Sequence, residues 1–533
     1  KTNSDTETIL HLYAKHGKDC LDYLRGMFAF AIWDDVNKEL FLARDRVGQK
    51  PLLYAHLPGG DLVFGSEFQA VLEDPRVLRD VDHNAIDSYL SFLAIPAPAT
   101  AFKSIRKLEP GHWLKWKDGE IETRRYWLPD FSKKTDVSRE EAEEETLRIL
   151  RESTKLRLIS EVPLGAFLSG GVDSSTIVAL MAQESEKPVK TFSIGFEEQD
   201  YSELKYAKQV AEHVGAEYNE FIVKPDALEV LPTLVEHYGE PYADSSAIPT
   251  YYVSKETRAH VTVALNGDGG DESFAGYERH AAMRIAEIYR RVPGIARKLG
   301  VEIPLGLIPT SETKKSRIRD MKRFAAAAAL PTSERYFRWM STFYRPEKEL
   351  LYSQKFKSSL DGSDAALELD KWVKKSNGNG VLDTVLLTDL MTYLPTDLLV
   401  KVDIASMANS LEARSPFLDH KVIEFAASLP EKVKMNRFET KSLLKRVAAK
   451  LVPPDVIYRR KMGFGVPVGK WFRNDMKDFV RDTLLSSRFS ERGYFETPVV
   501  QTYVNEHLSG EKDHTFQIWT LLMLELWFQR FID

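Results

Sequence analysis

The stretch FLSGGVDSSTIVAL, residues Phe167–Leu180, places two glycines, an aspartate and several serines between an apolar strand and an apolar helix. Gly170 and Gly171 can adopt backbone angles that other residues avoid, so several N–H groups can point into one concavity. The positive end of the following helix lies at the same corner. Further donors are the hydroxyls of three serines: Ser169, Ser174 and Ser175. The pattern favours a site for an anion with several oxygens, such as a phosphate, over a Gly-Gly turn with a serine N-cap.

The aspartate of this corner narrows the interpretation. Asp173 would repel a bare phosphate, so its presence indicates a bridging cation, and Mg²⁺ is the cation that best suits carboxylate and phosphate oxygens. The sequence contains no G-x-x-x-x-G-K-[ST] pattern, which excludes a Walker-type phosphate loop.

Composition excludes several other classes of protein. The chain has 533 residues, 43% of them hydrophobic and 29% charged, as in ordinary globular proteins. Its 73 Lys and Arg against 79 Asp and Glu give a net charge of -6, which argues against a general nucleic-acid binder. Apolar runs such as Met27–Trp33 are too short to span a membrane.

The single cysteine, Cys20, excludes a disulfide framework and a cysteine-cluster zinc site, and it is typical of a reducing cytoplasm. The sequence starts at Lys1 and shows no charged-then-apolar leader, so we expect a fragment or a processed product.

Residues 1–128 are expected to be β-rich, with one early helix over TETILHLYAKHG that closes at Gly17. Three runs are typical of short buried strands: GMFAFAIWD (26–34), KELFLARD (38–45) and DLVFGSE (61–67). Asp118 and Gly119 stand between two further strand-like runs, the usual signal of a β-hairpin. Together these features predict a packed antiparallel sandwich.

A polar stretch that opens on Pro129 indicates a domain boundary near residue 130, and Ser138 with Glu141 forms a capping-box pattern at the start of a helix. From Val162 onward, three apolar runs alternate with helical patterns: VPLGAFLS (162–169), VKTFSIGF (189–196) and HVTVALN (260–266). This alternation predicts a parallel α/β sheet, and ligands of such sheets bind beyond the carboxyl ends of the strands. The remainder, about 281–533, is expected to be mainly helical, with proline-marked turns at 303–309 and 451–455.

The third of these strands runs into LNGDGGDESFAGY, residues Leu265–Tyr277. Acids as dense as Asp268, Asp271 and Glu272 are costly unless a cation or a cationic substrate group neutralises them. Asp271 could share a metal with Asp173 if the two strands are neighbours, which would leave Asp268 and Glu272 to face a substrate amine. The alternative is a solvated acidic loop.

At this point the chain resembles a known family. The run S-G-G-V-D-S at Ser169–Ser174 is similar to the pyrophosphate loop of the ATP pyrophosphatase superfamily. Together with GDGGDESFAGY (267–277), LEARSPFLD (411–419) and YRRKMGFGVPVGKW (458–471), it resembles the glutamine-hydrolysing asparagine synthetases. Earlier runs are similar to the second half of that family's N-terminal glutaminase domain: SDTETILHLY (4–13), LRGMFAFAIWD (24–34), LARDRVGQKPLLY (42–54) and FGSE (64–67).

The resemblance implies a partial Ntn-type glutaminase domain at 1–130 and an ATP-pyrophosphatase-type synthetase domain at 131–533. It implies that ATP adenylates the side-chain carboxylate of aspartate, giving β-aspartyl-AMP and pyrophosphate, and that ammonia then releases asparagine and AMP. By motif, pyrophosphate would be held by Ser169, Gly170, Gly171, Asp173 and Ser174. Adenosine would be lined by Phe167, Ile194, Asn266 and Gly267. Mg²⁺ would be held by Asp173 and Asp271.

The same resemblance assigns Asp268 to the position of an acid needed to form the acyl-adenylate, often a glutamate in the family. With Glu272 and Lys441 it completes the expected catalytic set. Two positions depart from the family pattern: Asn266 stands where serine is commoner, and Ser273 stands where an apolar residue is usual.

The glutaminase region departs further. The family's nucleophile is a cysteine at the mature N-terminus, and the sequence begins after that position. The glutamine-binding arginine and the oxyanion-hole asparagine-glycine of the family are missing too. Asp5 matches a family contact to the amino group of glutamine. Cys20 is internal, and we expect it only to pack.

Lys441 lies in RFETKSLLKRVAAKLVPPD, whose apolar positions predict a helix with Lys441 on its apolar side. Such a lysine either extends its ammonium to solvent or points at a buried anion, and the resemblance aligns it with a family lysine that contacts ATP phosphate. The segment ADSSAIPTYY (243–252) either lines the aspartate pocket or caps a helix. Glu412 and Arg414 are expected to form a structural ion pair.

The sequence therefore predicts a cytoplasmic ligase that uses ATP, Mg²⁺, aspartate and glutamine or ammonia, without nucleic acid or membrane, and leaves a homodimer open. The same chemistry on another carboxylate, such as a sugar acid or a β-lactam precursor, stays open as well. A scaffold that only holds nucleotide is disfavoured by the retained Asp173 and Asp271. A thiolating or tRNA-modifying relative would need further cysteines or a basic surface.

Overall fold

A computed structural model of the chain describes residues 2, 4–196, 203–223, 227–297, 317–362, 364–376, 380–459 and 465–533. The predicted turn at 303–309 lies outside the described residues. So do residues 460–464 of the 458–471 motif and residues 201–202, with which the helical pattern YSELKYAKQVAEHVG (201–215) begins.

The N-terminal region contains two antiparallel sheets. The first has the order β1-β2-β6-β7, and the second has the order β4-β3-β5. The strands are β1 (Ala29–Asp34), β2 (Glu39–Arg44), β3 (Leu53–His56), β4 (Leu62–Gly65), β5 (Arg106–Lys107), β6 (His112–Lys117) and β7 (Glu120–Arg125). Leu42 and Leu114 of the first sheet share a buried cluster with Leu52 and Tyr54 at the second, so the two sheets pack on each other as predicted.

The β6–β7 hairpin turns at Asp118 and Gly119, which have φ values of 51° and 85°. Positive φ at both central residues gives the turn that matches the twist of paired strands, and the prediction from this Asp-Gly pair is confirmed. Strand β2 is buried as expected, whereas β1 and β4 are largely half-buried or exposed.

The expected early helix is Asp5–His16, and it ends at Gly17, where φ is 58°. The expectation of one helix in this region was wrong, because Phe68–Leu72 and His83–Phe92 are also helical. The second of these begins where the Asp82 carboxylate accepts the backbone N–H groups of Asn84 and Ala85. This N-cap aspartate was a signal that the sequence analysis did not use.

The C-terminal region is built on a five-stranded sheet with the order β10-β9-β8-β11-β12, in which every neighbouring pair is parallel. The strands are β8 (Leu164–Phe167), β9 (Lys190–Phe196), β10 (Glu217–Val223), β11 (Val263–Leu265) and β12 (Glu412–Arg414). We predicted β8, β9 and β11 and missed β10 and β12. Strands β9 and β10 lie on one side of β8, whereas β11 and β12 lie on the other, so the strand order reverses between β8 and β11. At such a switch point the carboxyl ends of the strands leave a crevice for a ligand.

Helices surround this sheet and make up most of the described residues that follow it, as predicted. Around the sheet they are Arg139–Arg157, Val172–Glu184, Leu204–Val214, Ala227–Tyr238, Ala247–Arg258 and Gly270–Ser273. The next are Glu278–Arg290, Gly294–Arg297, Arg317–Ala328, Thr332–Met340, Arg345–Leu351, Gln354–Ser359, Ala366–Lys375, Val381–Met391 and Leu399–Met407. The last are His420–Ser428, Glu431–Lys434, Ser442–Ala448, Pro454–Ile457, Val468–Arg473, Lys477–Leu484, Ser487–Glu491, Thr497–Ser509 and Thr515–Phe531. Helix Arg139–Arg157 begins with the predicted capping box of Ser138 and Glu141.

One buried core joins the two regions. The N-terminal helix His83–Phe92 packs into the same apolar cluster as the C-terminal helix Thr515–Phe531. The buried hydroxyl of Tyr89 donates a hydrogen bond to the carbonyl of Thr520 at 2.7 Å. Within the described part of the chain, no helix has both the length and the apolar character needed to cross a membrane.

Candidate active site

The corner between β8 and helix Val172–Glu184 combines a helix N-terminus with two serine hydroxyls. The helix begins after Gly171, and no side chain caps its first turn, so its leading N–H groups are not satisfied by a capping group. Gly170 has a φ of 68°. The Ser169 and Ser174 hydroxyls lie 3.0 Å apart beside this turn. The structure therefore brings together the predicted backbone and hydroxyl donors, and an anion here would meet a helix N-terminus.

Close packing requires glycine at two positions of this corner. A Cβ on Gly170 would lie 2.6 Å from the backbone nitrogen of Ala207. A Cβ on Gly267 would lie 2.7 Å from the Cβ of Asp173. The loop after β11 thus rests directly on the loop after β8, which is possible because the two strands are neighbours in the sheet.

Lys441 joins these two loops. Its ammonium contacts the Oδ2 atom of Asp173 and lies 2.8 Å from the Oδ1 atom of Asp271. We predicted Lys441 on the apolar side of a helix, but the helix begins one residue later, at Ser442. Lys441 itself has a left-handed backbone with a φ of 54°, and this turn sends its side chain into the crevice.

The carboxylates around Lys441 shift its pKa. Burial lowers the pKa of this ammonium, but the carboxylates of Asp173 and Asp271 outweigh burial and raise the pKa above its ordinary value. Both acids therefore lie, with the ammonium between them, at the carboxyl end of the sheet.

The donor set fits Mg²⁺. Two carboxylates that contact the same ammonium are close enough to share one ion, and they are the hard oxygen ligands that this ion prefers. Among the described residues, no group of three or more His, Cys, Asp or Glu side chains is arranged to hold a metal. The remaining ligands would have to come from phosphate and water, as is usual for magnesium at a nucleotide.

Asp268 and Glu272 flank the same loop. Burial raises the pKa of Asp268 to about 6 against the opposing charge of Lys401, and Asp173 and Asp271 raise it further. Burial also raises the pKa of Glu272 to about 7, with Asp271 adding to the effect. The Tyr277 hydroxyl donates a hydrogen bond to Glu272. Both carboxyl groups can therefore exchange a proton near neutral pH.

The residues expected around adenosine lie at the same edge of the sheet. Phe167 ends β8, Ile194 lies near the end of the adjacent β9, and Asn266 follows β11. Phe167 is half-buried, and Asn266 is buried with its side-chain amide donating to Asp268 at 2.7 Å. The three come from neighbouring strands of one sheet, and their contact with adenosine stays a prediction.

The sequence analysis missed a second charged cluster next to this edge. The Lys401 ammonium donates to Asp244 and to Ser246, both at 2.9 Å. The Tyr242 hydroxyl donates to Asp397 at 2.6 Å. Asp244 lies in the segment 243–252, for which a pocket and a helix cap stayed open. It forms this ion pair and lines a cavity of about 250 Å³.

Arg459 is another residue that sequence reasoning missed. Its guanidinium donates to the carbonyl of Gly170 at 3.0 Å and to Glu203 at 2.6 Å. It also lies over the Tyr206 ring, 4.5 Å from the centroid. These contacts fix the carbonyl of the turn and so help to set the direction of its N–H groups. The basic run around Tyr458 was the available signal.

Three further predictions concern residues outside this edge. Cys20 is fully buried beside Phe41 and Trp113, and burial raises the pKa of its thiol to about 11, which confirms that it packs. Arg414 pairs with Glu412 at 2.6 Å, which confirms the structural ion pair. Asp5 is exposed in a first helical turn, where it accepts the Thr6 N–H at 2.8 Å, and its contact to glutamine stays a prediction.

Comparison with known proteins identifies the family. The asparagine synthase family model matches residues 145–529, and the glutamine amidotransferase domain model matches residues 1–127. Asparagine synthetase [glutamine-hydrolyzing] 1 of Bacillus subtilis is 33% identical over 99% of this chain and 81% of its own length. A putative asparagine synthetase [glutamine-hydrolyzing] of Mycobacterium bovis is 33% identical over 100% of this chain and 80% of its own.

More distant proteins match as well. Amidase chry2 of Gibberella zeae is 24% identical over 94% of this chain and 78% of its own length. A solved structure described as the allosteric regulatory enzyme of purine biosynthesis aligns over 42% of this chain and 55% of its own. The TM-score is 0.18 and the identity is 15%, so this similarity is weak. The family matches cover nearly the whole chain, and the fold is the expected mixed α/β arrangement. The chain therefore belongs to the asparagine synthase family, as a ligase of the glutamine-hydrolysing type with an amidotransferase domain ahead of the synthase domain.

Proposed function

We propose that the chain uses ATP to adenylate the side-chain carboxylate of aspartate and then converts the β-aspartyl-AMP to asparagine with ammonia. One observation carries the proposal: the Lys441 ammonium lies between Asp173 and Asp271 at the switch point of the sheet, beside an uncapped helix N-terminus. This arrangement suits the polyphosphate of a nucleotide with a divalent cation.

In the first step, a carboxylate oxygen of aspartate attacks the α-phosphorus of ATP. The bond between the α-phosphorus and the bridging oxygen breaks, and pyrophosphate leaves with the bonding electrons. The loop of Ser169, Gly170 and Gly171 and the hydroxyl of Ser174 would receive the pyrophosphate, while Lys441 stabilises the charge that develops in the transition state. Mg²⁺, held by Asp173 and Asp271, would supply further charge neutralisation on the phosphates when bound.

In the second step, ammonia attacks the acyl carbon of the adenylate. The carbon–oxygen bond to phosphate breaks, AMP leaves with the electron pair, and the nitrogen loses one proton to become the amide. Asp268 and Glu272 lie in the loop after β11, beside the corner at Ser169–Ser174 that we call the phosphate corner, and their pKa values are raised. Their carboxylates are therefore the groups that we expect to accept that proton.

We place the adenosine against Phe167, Ile194, Asn266 and Gly267, which lie at the ends of β8, β9 and β11. Ammonia would come from glutamine hydrolysed in the amidotransferase region, where Asp5 is the proposed contact to the glutamine amino group. We divide the chain into an amidotransferase domain at 1–130 and a synthetase domain at 131–533. A cytoplasmic location and a homodimer accompany this proposal as expectations from the family.

A second candidate function is the same chemistry on another carboxylic acid. One relative that matches 94% of this chain is named an amidase and not an asparagine synthetase. That similarity favours testing acceptors other than aspartate. Pyrophosphate release with ammonium, ATP and Mg²⁺ should be measured for aspartate and for a panel that includes sugar acids and β-lactam precursors. Release that depends on aspartate supports the proposal, and release with another acid alone would replace aspartate as the acceptor.

A further inference from the structure

A partly open cavity of about 250 Å³ is lined by Asp244, the partner of Lys401. Its wall is largely apolar, with Phe92, Leu93, Trp339 and Leu369 among the lining residues. Its other charged lining residues are Arg279, Glu368 and Asp397. A concave space with an apolar body and a few placed charges is the usual form of a small-molecule site.

Arg279 is held rigidly at this wall. Its guanidinium lies 3.7 Å from the ring centroid of Tyr277 and 4.7 Å from that of Tyr393. Its Nε donates to the Tyr336 hydroxyl at 2.8 Å, and one Nη2 hydrogen is donated to Asp389 at 3.0 Å.

These two bonds use two of about five N–H donors that a guanidinium carries. Among the residues that the structure describes, no other group accepts a hydrogen bond from Arg279. A planar guanidinium with donors to spare is suited to a carboxylate, which it can bind through two parallel hydrogen bonds.

Charge of the opposite sign lines the same cavity. Asp244 and Asp397 both lie in its wall, and Lys401 is paired with Asp244 at 2.9 Å. Asp397 accepts the hydroxyl of Tyr242 at 2.6 Å. Lys401 already supplies one ammonium to these acids, and burial with the charge of Asp244 raises the pKa of Asp397 to about 7. A second ammonium group beside Asp397 would favour its charged form, so this part of the wall is suited to one.

Two side chains, Tyr277 and Lys401, connect the cavity wall to the acids Glu272 and Asp268. The Tyr277 ring that stacks on Arg279 carries the hydroxyl that donates to Glu272. The Lys401 ammonium that pairs with Asp244 also acts electrostatically on Asp268. A molecule in the cavity would thus have one end on Arg279 and Asp244 and the other towards the acids of the phosphate corner.

We propose that this cavity binds the zwitterionic head group of an amino-acid acceptor, with the α-carboxylate on Arg279 and the α-ammonium at Asp244 and Asp397. The inference rests on the proposed function and narrows it. An acceptor without both groups, such as a sugar acid, lacks the charges that this wall recognises, and Arg279 is the specificity-determining residue for the α-carboxylate.

The test compares aspartate with its α-amide, which keeps the side-chain carboxylate and loses the α-carboxylate. In ammonium-dependent pyrophosphate release, Arg279→Gln should raise the KM for aspartate about a hundredfold, because a charged paired contact is lost. The KM for ATP should change less than about twofold, and the preference of the wild type for aspartate over the α-amide should disappear. Arg279→Lys should restore part of that preference.

Tyr336→Phe is the matched control, since it removes the other hydrogen bond to Arg279 and a bond to Asp389 without changing the guanidinium. It should keep the preference for aspartate. The inference is overturned if Arg279→Gln still rejects the α-amide as strongly as the wild type, or if the KM values for ATP and aspartate rise together. Acceptance of a sugar acid in place of an amino acid would also overturn it.

Failure of the proposed function gives a separate result. If the wild type releases no pyrophosphate with any acid, adenylation is excluded, and aspartate binding measured by calorimetry then decides the inference. Binding that is lost in Arg279→Gln and kept in Tyr336→Phe supports the carboxylate anchor, and binding that is the same in all three proteins, or absent from the wild type, contradicts it.

Discussion

Two buried lysines of this enzyme have opposite surroundings. The Lys441 ammonium is shared by two carboxylates, those of Asp173 and Asp271. The Lys434 ammonium lies 2.7 Å from Asp383, and Lys134 binds the same carboxylate, also at 2.7 Å. In the first cluster one ammonium contacts two carboxylates, and in the second one carboxylate contacts two ammonium groups, with Glu431 acting on Lys434 as well.

The pKa values follow this difference. The two acids raise the pKa of Lys441 in spite of its burial, whereas burial and the charge of Lys134 lower the pKa of Lys434 to about 8, against the effects of Asp383 and Glu431. Two carboxylates on one ammonium at a crevice suit a cation with its phosphates. The two lysines beside the Phe131 ring instead tie the segment after Pro129 to the C-terminal region. The comparison teaches that burial of a lysine does not mark a site, whereas the charged groups around it and their place in the fold do.

The largest expected effect is the loss of turnover when an acid of the first cluster is replaced. Asp173→Asn and Asp271→Asn should each lower turnover about a thousandfold, because each removes a charged ligand of the cation that shields the phosphates. Pyrophosphate release over a range of Mg²⁺ concentrations measures this, and circular dichroism checks the fold. Near-normal turnover of either variant at limiting Mg²⁺ would show that the acids do not share a metal.

Lys441→Met should lower turnover about a hundredfold or more, which corresponds to about 3 kcal/mol of transition-state stabilisation. Lys445→Met, one turn further on, is the matched control, because Lys445 lies 3.7 Å from Glu439 and does not contact Asp173 or Asp271. Pyrophosphate release under saturating substrates separates the two. If both variants keep wild-type turnover, Lys441 has no role in the chemistry.

Lys434→Met should instead change how stability depends on pH. Lys434 has a folded pKa of about 8, below its ordinary 10.5, so the unfolded chain binds more protons between these values and stability rises with pH there. Relative to Lys434→Met, the wild type should gain about 2 kcal/mol of unfolding free energy from pH 8 to pH 10. Urea unfolding at the two pH values measures this. Equal pH dependence in both proteins would contradict the lowered pKa, and lost turnover at pH 7.5 would contradict a purely structural role.

Much of the fold was readable from local signals. The Asp118-Gly119 turn, the Ser138–Glu141 capping box and the Gly17 helix end each have a short-range physical cause, and each is present in the structure. The strand-to-helix corner at Gly170 was readable for the same reason. Strands β10 and β12 were not, because both lie at the edges of the sheet, where pairing with a neighbour defines a strand more than its own residues do.

The charge clusters could not be predicted from short stretches of sequence. Lys441 and Asp173 are 268 positions apart, and Lys401 and Asp244 are 157 apart. Only the chain topology brings them together. The expected position of Lys441 within a helix was wrong because Lys441 is the residue just before the helix and has a left-handed backbone, which the apolar pattern that follows does not specify.

The smallest effect should come from Lys134→Met. Lys134 is partly exposed and also donates to the carbonyl of Ala427 at 2.7 Å, so its removal should cost no more than about 1 kcal/mol. Its loss removes a like charge near Lys434, and the pKa of Lys434 should therefore rise. The increase of unfolding free energy with pH should then begin at a higher pH than in the wild type, while turnover stays unchanged. Urea unfolding at several pH values between 7 and 10 tests this, with Lys133→Met, next along the chain and paired with the half-exposed Asp130, as the control. If the increase begins at the same pH in Lys134→Met and in the wild type, the charge of Lys134 does not lower the pKa of Lys434, and it does not explain the contrast between the two lysines.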